Sequence, residues 1–208
     1  MASNVRRAVQ QTAIAAEGAS PKPLVLCAFR KSDNSISVEL PAPFLVDRIS
    51  ANAGLVSYVF HLEGRSRHRI EQILVELQVN SNTYTDHRFV DVPSISVERA
   101  SVDDVLLIRF SGVVNNEQWE GLSTRVNFVR NKTEDDLNRY MLRILNRDMP
   151  KELAQSCLCS RGAGFGILLV AMMARGGIAA ELGEAMEHGM HRFSLEVNFV
   201  MGIHDPKP

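Results

Sequence analysis

The chain has 208 residues, 45% of them hydrophobic and 23% charged, values expected of one globular domain with a sizeable core. Its formal net charge of −1 argues against a general polyanion binder such as a nucleic-acid protein, whose domains carry a clearly basic face. The longest apolar run, Phe165 to Ala174, stops at Arg175 and is too short for a membrane span. The N-terminal stretch lacks the apolar segment of a secretory signal, and the three cysteines, Cys27, Cys157 and Cys159, read as reduced thiols of a cytoplasmic protein.

Residues 1–21 are expected to form a flexible leader, 22–203 a single α/β domain, and 204–208 a tail. The run Pro23 to Arg30 predicts a strand, Lys31 to Asn34 a turn, and Ser35 to Leu40 an alternating strand, together an N-terminal hairpin. Past Pro41 and Pro43, the spacing of Phe44, Leu45, Ile49, Ala53, Val56, Val59 and Phe60 predicts a helix broken at Gly64. A second helix follows, with Ile70, Ile73, Leu74 and Leu77 on one face. Strands are predicted at Ile95 to Arg99 and Val105 to Phe110, the latter ending in a turn at Ser111-Gly112. Helices are predicted over 117–130 and 134–147, the second capped by Thr133 with Asp136 as its capping-box partner. From Arg147 to Arg161 periodicity is lost, which marks a candidate lid loop. A glycine-rich turn then opens an apolar helix ending at Gly176-Gly177, and strands Ile178 to Leu182 and His191 to Phe199 close the domain.

Two patterns could carry chemistry. Glu76 and Asn80 are four residues apart on a helix and so share one face. An Asn carbonyl is a good oxygen ligand for Mg²⁺, and a carboxylate one turn away can orient or deprotonate a hydroxyl. The second pattern is Arg161-Gly162-Ala163-Gly164-Phe165-Gly166. Its alternate glycines let backbone approach an anion, the helix behind them offers free N–H groups, and Arg161 adds charge. Each also has a plain structural reading, as a polar helix end and as a tight loop-to-helix turn.

In the order and spacing of these two patterns the chain resembles the GHKL family of histidine kinases, anti-sigma-factor kinases and gyrase. There a Glu-x-x-x-Asn helix precedes a strand ending in an Asp-x-Gly-x-Gly turn, then a lid, then a Gly-x-Gly-x-Gly turn opening a helix backed by two strands. Within the family it is most similar to the SiaB-type stand-alone protein kinases, over roughly residues 24–200. Three segments carry this likeness: Glu39 to Leu45, Ile73 to Ser81, and Arg161 to Ala171. The resemblance implies a two-layer α/β sandwich of the Bergerat, histidine-kinase ATPase-like type, with a mixed, mostly antiparallel sheet and helices on one face. It implies ATP and Mg²⁺ as cofactors, Asn80 as the metal anchor and Glu76 as the catalytic residue, a base or an orienter of the attacking hydroxyl. Gly112, Arg161, Gly162, Gly164 and Gly166 would line the nucleotide. The implied partners are a small anti-anti-sigma-like protein, phosphorylated on Ser or Thr, and an opposing metal-dependent phosphatase. Neither nucleic acid nor membrane is expected, and a homodimer is compatible with the sequence.

One departure bears on catalysis. With Gly112 as the first glycine of the family's turn, the adenine-reading Asp is replaced by Phe110 and the second glycine by Val114. Those two residues favour a degenerate, non-catalytic adaptor or a histidine-phosphotransfer partner, whereas Glu76, Asn80 and the three glycines favour a kinase. Elsewhere, Cys157 and Cys159 lack the second pair a zinc site needs, and His188 and His191 read as solvated. Met172, Met173, Met186 and Met190 read as filler, and Trp119 and Phe128 as core candidates. Arg65, Arg67, His68 and Arg69 form a basic helix start that reads as a solvated face or a docking patch.

Overall fold

A computed structural model of the chain describes residues 27–30, 36–42, 44, 46–84, 87–89, 92–99, 104–146 and 163–202. Period-two alternation builds its strands. In β2 (Ile36–Pro41), Val38 and Leu40 are buried while Glu39 is exposed. β2 pairs with β1 (Cys27–Arg30) on one side and β3 (Ser94–Arg99) on the other. β3 forms a hairpin with β4 (Val105–Asn115), and β5 (Arg175–Ala185) and β6 (Met190–Val200) complete the sheet. The strand order is β1-β2-β3-β4-β6-β5, and all five neighbouring pairs are antiparallel. The mixed character expected from the family resemblance is therefore not found among the described strands.

One face of the sheet carries Val38, Leu40, Ile95, Val97, Leu106, Ile108, Phe110, Leu195, Val197 and Phe199, all buried. The opposite face carries Glu98, Arg109 and Glu196 on three adjacent strands. There Arg109 donates to both carboxylates, its Nε lying 3.0 Å from Glu196 Oε2. A charged ladder facing water and an aliphatic face toward the helices make a two-layer sandwich.

Helix α1 (Ile49–Val59) starts later than its periodicity predicts, behind a short 3₁₀ turn at Val46–Arg48. It buries Ile49, Asn52, Ala53, Val56 and Ser57, the i, i+3, i+4, i+7, i+8 stripe of a core-facing helix. Its stop is His61 rather than Gly64. His61 takes a left-handed φ of 53°, its N–H donates to the Tyr58 carbonyl, and the Leu62 N–H donates to the Ser57 carbonyl. This is a Schellman closure with histidine in the usual glycine position. Gly64 instead begins the long helix α2 (Gly64–Tyr84), whose Ile70, Ile73, Leu74 and Leu77 are at most 2% exposed.

β4 runs straight into α3 (Asn116–Arg130) through a capping box. The Gln118 N–H donates to Asn115 Oδ1 at 2.8 Å, and the Asn115 N–H donates to Gln118 Oε1 at 2.9 Å. The expected cap of α4 (Glu134–Leu145) forms as read, with the Asp136 N–H donating to Thr133 Oγ1 at 3.2 Å. Trp119 and Phe128 are partly buried against the core, and Phe128 meets Tyr140 edge-on. The apolar helix α5 (Ala163–Ala174) touches α2, α3, α4, β5 and β6, which is why it is apolar on nearly every face, with Phe165 left exposed. β5 begins immediately at Arg175, so Gly176 and Gly177 lie inside the strand instead of ending the helix.

Candidate functional site

Glu76 and Asn80 sit one turn apart on α2, and the Asn80 side-chain Nδ2 donates to Glu76 Oε1 at 2.8 Å. An ionised carboxylate only accepts, so the amide must present its NH₂ end to it. That orientation turns the Asn80 carbonyl oxygen, the better ligand for a hard cation, away from Glu76. Both side chains are half-buried, open enough to meet a ligand and enclosed enough to be held.

The buried face of the same helix turn fixes the pair. Gln78, fully buried, accepts from Asn52 Nδ2 at 2.9 Å and donates to the Leu74 carbonyl at 3.0 Å. This amide pair locks α2 to α1 in a core where an unmatched amide would cost about 1–3 kcal/mol.

Helix α5 brings the second motif to the first. A Cβ placed on Gly166 would fall on Glu76 Oε1 and lie 2.9 Å from Asn80 Nδ2. The residue is glycine because α5 approaches the pair so closely that a side chain would displace it. Gly164 lies in the first turn of the same helix, where N–H groups lacking intrahelical partners and the positive end of the dipole point out along the axis. Arg161 and Gly162 lie outside the described residues, as do the lid segment 147–161, Cys157 and Cys159.

Gly112 requires correction. It opens no turn, because β4 continues through it to Asn115 and pairs it with Phe193 of β6. A Cβ there would lie 2.6 Å from the Phe193 ring, so this glycine makes room for a cross-strand aromatic. Phe110 is 6% exposed and meets Phe193 edge-to-face at 5.5 Å, and Val114 is 8% exposed. Both fill the core, and neither offers a surface on which a base could stack.

The basic start of α2 divides. Arg67 pairs with Glu71 one turn on, at 2.8 Å, on the solvent side. Arg69 turns inward, donating from Nε to the Met173 carbonyl of α5 at 2.7 Å, with its guanidinium 5.0 Å from the Phe199 ring centre. The Asn115–Gln118 capping box and the inward Arg69 are not among the sequence expectations. The Asn-x-x-Gln spacing could have shown the first, whereas no local signal marks the second. His188 is exposed, and among the described residues no group of three metal-ligating side chains converges. Among the same residues, no helix is long and apolar enough to cross a membrane.

No family model and no curated protein matches the chain. Among solved structures, it is similar to a chain from the crystal structure of the SiaB-SiaC complex from Pseudomonas aeruginosa. The TM-score is 0.57 at 15% identity, over 77% of this chain and 88% of that chain. At that identity the likeness establishes a shared fold.

Proposed function

We propose that the chain is an Mg-ATP-dependent protein kinase that phosphorylates a Ser or Thr of a small anti-anti-sigma-like partner, opposed by a metal-dependent phosphatase. The observation that carries this reading is the meeting of Glu76 and Asn80 with Gly166, which lies 90 and 86 residues further along the sequence, at one end of α5. The donor set fits a magnesium nucleotide: one amide oxygen, one carboxylate and a helix N-terminus that a glycine lets lie against them. Bound Mg-ATP would supply the phosphoryl group. Asn80 would hold the cation through its carbonyl oxygen, and Glu76 would accept the proton of the partner's hydroxyl. The first turn of α5, with Gly164 and Gly166, would receive the phosphates, joined by Arg161 and Gly162. The likeness to a chain found in a two-protein complex supports a protein partner.

A second reading, a non-catalytic adaptor of the same fold, is favoured by the unbroken β4 strand and the buried Phe110. Thermal unfolding with and without Mg-ATP separates the two. Ligand at about 100 times its Kd stabilises the folded state by about 2.7 kcal/mol. The wild type should show a raised Tm that Asn80→Ala loses, with the ligand-free Tm of the variant unchanged. A wild type that is indifferent to millimolar Mg-ATP would leave the adaptor reading in place.

A further inference from the structure

We propose that Arg69 is a positioning residue, holding α5 in register on α2 so that Gly166 stays seated on the Glu76–Asn80 pair. The proposal deepens the kinase reading, and its structural half stands independently of nucleotide.

Arg69, Ile73, Glu76 and Asn80 follow one another at intervals of four, three and four, a single stripe along α2. On α5, Gly166, Val170 and Met173 follow at four and three. The helices touch at both ends of these matched stripes: Arg69 bonds the Met173 carbonyl, and Gly166 abuts Glu76 and Asn80. From Met173 to Gly166 on α5, and from Arg69 to Glu76 on α2, the span is seven residues, roughly 10 Å of helix. Ile73 and Val170, both fully buried, lie between the two ends. They supply non-directional apolar contact, which resists separation of the helices better than sliding. The directional restraint is at Arg69.

The chemistry suits that role. Met173 belongs to the last turn of α5, where carbonyls lack intrahelical partners and the dipole is negative, so a cation donating there is favoured. The guanidinium also lies over Phe199, a fully buried ring of β6, so one side chain ties α2, α5 and the sheet together. Lysine cannot donate laterally while lying flat on a ring. Moving α5 along α2 would lift Gly166 off the Asn80–Glu76 hydrogen bond and let water compete for it.

Side-chain amide NMR on the ligand-free protein tests this, because Asn80 and Gln78 report on opposite faces of the same helix turn. In Arg69→Met the Asn80 NH₂ protons should exchange with solvent about tenfold faster or more, whereas those of Gln78 should change by less than about twofold. An unchanged Asn80 amide would overturn the proposal, and so would equal loosening of both amides, which would make Arg69 a general stabiliser. If Arg69→Met does not fold, Arg69→Lys carries the same comparison with charge and stem retained. In calorimetric titration, Arg69→Met should weaken Mg-ATP binding about tenfold or more, since small displacements of a binding constellation are costly. A wild type that binds no Mg-ATP would remove the kinase reading while the amide result still decides the role of Arg69.

Discussion

The ring of Phe193 lies across the backbone of Gly112 on the adjacent strand, where a β-carbon would sit 2.6 Å from ring carbon Cε1. With the aromatic in that position, only a glycine fits beside it. Gly112→Ala should therefore destabilise the fold by about 1–3 kcal/mol through overpacking against the buried rings of Phe193 and Phe110. Phe193→Leu in that background should recover part of the loss although it is destabilising alone. Urea unfolding of the two single variants and the double variant checks the sign of the coupling.

The buried amides of Asn52 and Gln78 should behave asymmetrically. Gln78→Leu alone leaves the Asn52 amide without its acceptor and should cost about 1–3 kcal/mol. The double variant Asn52→Leu/Gln78→Leu removes both polar groups and should be closer to wild type than Gln78→Leu alone. Chemical denaturation midpoints measured at one common slope decide it.

For Glu76, the kinase reading separates binding from transfer. Glu76→Gln keeps the shape of the side chain and can still bond to Asn80, so Mg-ATP affinity should be retained within a few-fold. Transfer to the partner's hydroxyl should fall by about 10²–10⁴, the range for loss of a positioned general base. Radiolabel transfer to the partner at the wild-type rate would reduce Glu76 to a structural role.

The cap of α4 carries a pH signature. The Thr133 hydroxyl, and then the Thr133 backbone N–H, donate to the Asp136 carboxylate and hold its pKa below the ordinary value of 3.8. A carboxyl group whose pKa is lower folded than unfolded stabilises the fold at pH above its unfolded value. That contribution is lost as pH falls through the lowered, folded value. Thr133→Ala removes the hydroxyl donor, so the Asp136 pKa should rise toward its ordinary value and the acid-side loss should shrink. An NMR titration of the Asp136 carboxyl carbon in both proteins measures the shift, which salt should weaken because the group faces solvent.

Features that depend on neighbours within a turn or two are legible in the residues alone. The Ile70, Ile73, Leu74, Leu77 stripe is legible because helical period places those residues on one face whatever they meet, and all four are buried. The Thr133–Asp136 cap is legible because both partners lie within four residues, and so is the alternation of Val38 and Leu40 with Glu39. Gly112 was not legible. A glycine signals equally a turn or a close approach, and the atom that decides between them belongs to Phe193, 81 residues later. Arg69 reads as one of four basic residues at a helix start, and only α5 packing on α2 supplies the Met173 carbonyl, 104 residues away, that turns it inward. Glu76, Asn80 and Gly166 stand between these cases. Their spacing named them, but two short motifs carry no information on distance in space. The apolar faces of α2 and α5, buried together against the antiparallel sheet, bring Gly166 onto the pair, so two motifs distant in sequence become neighbours in space.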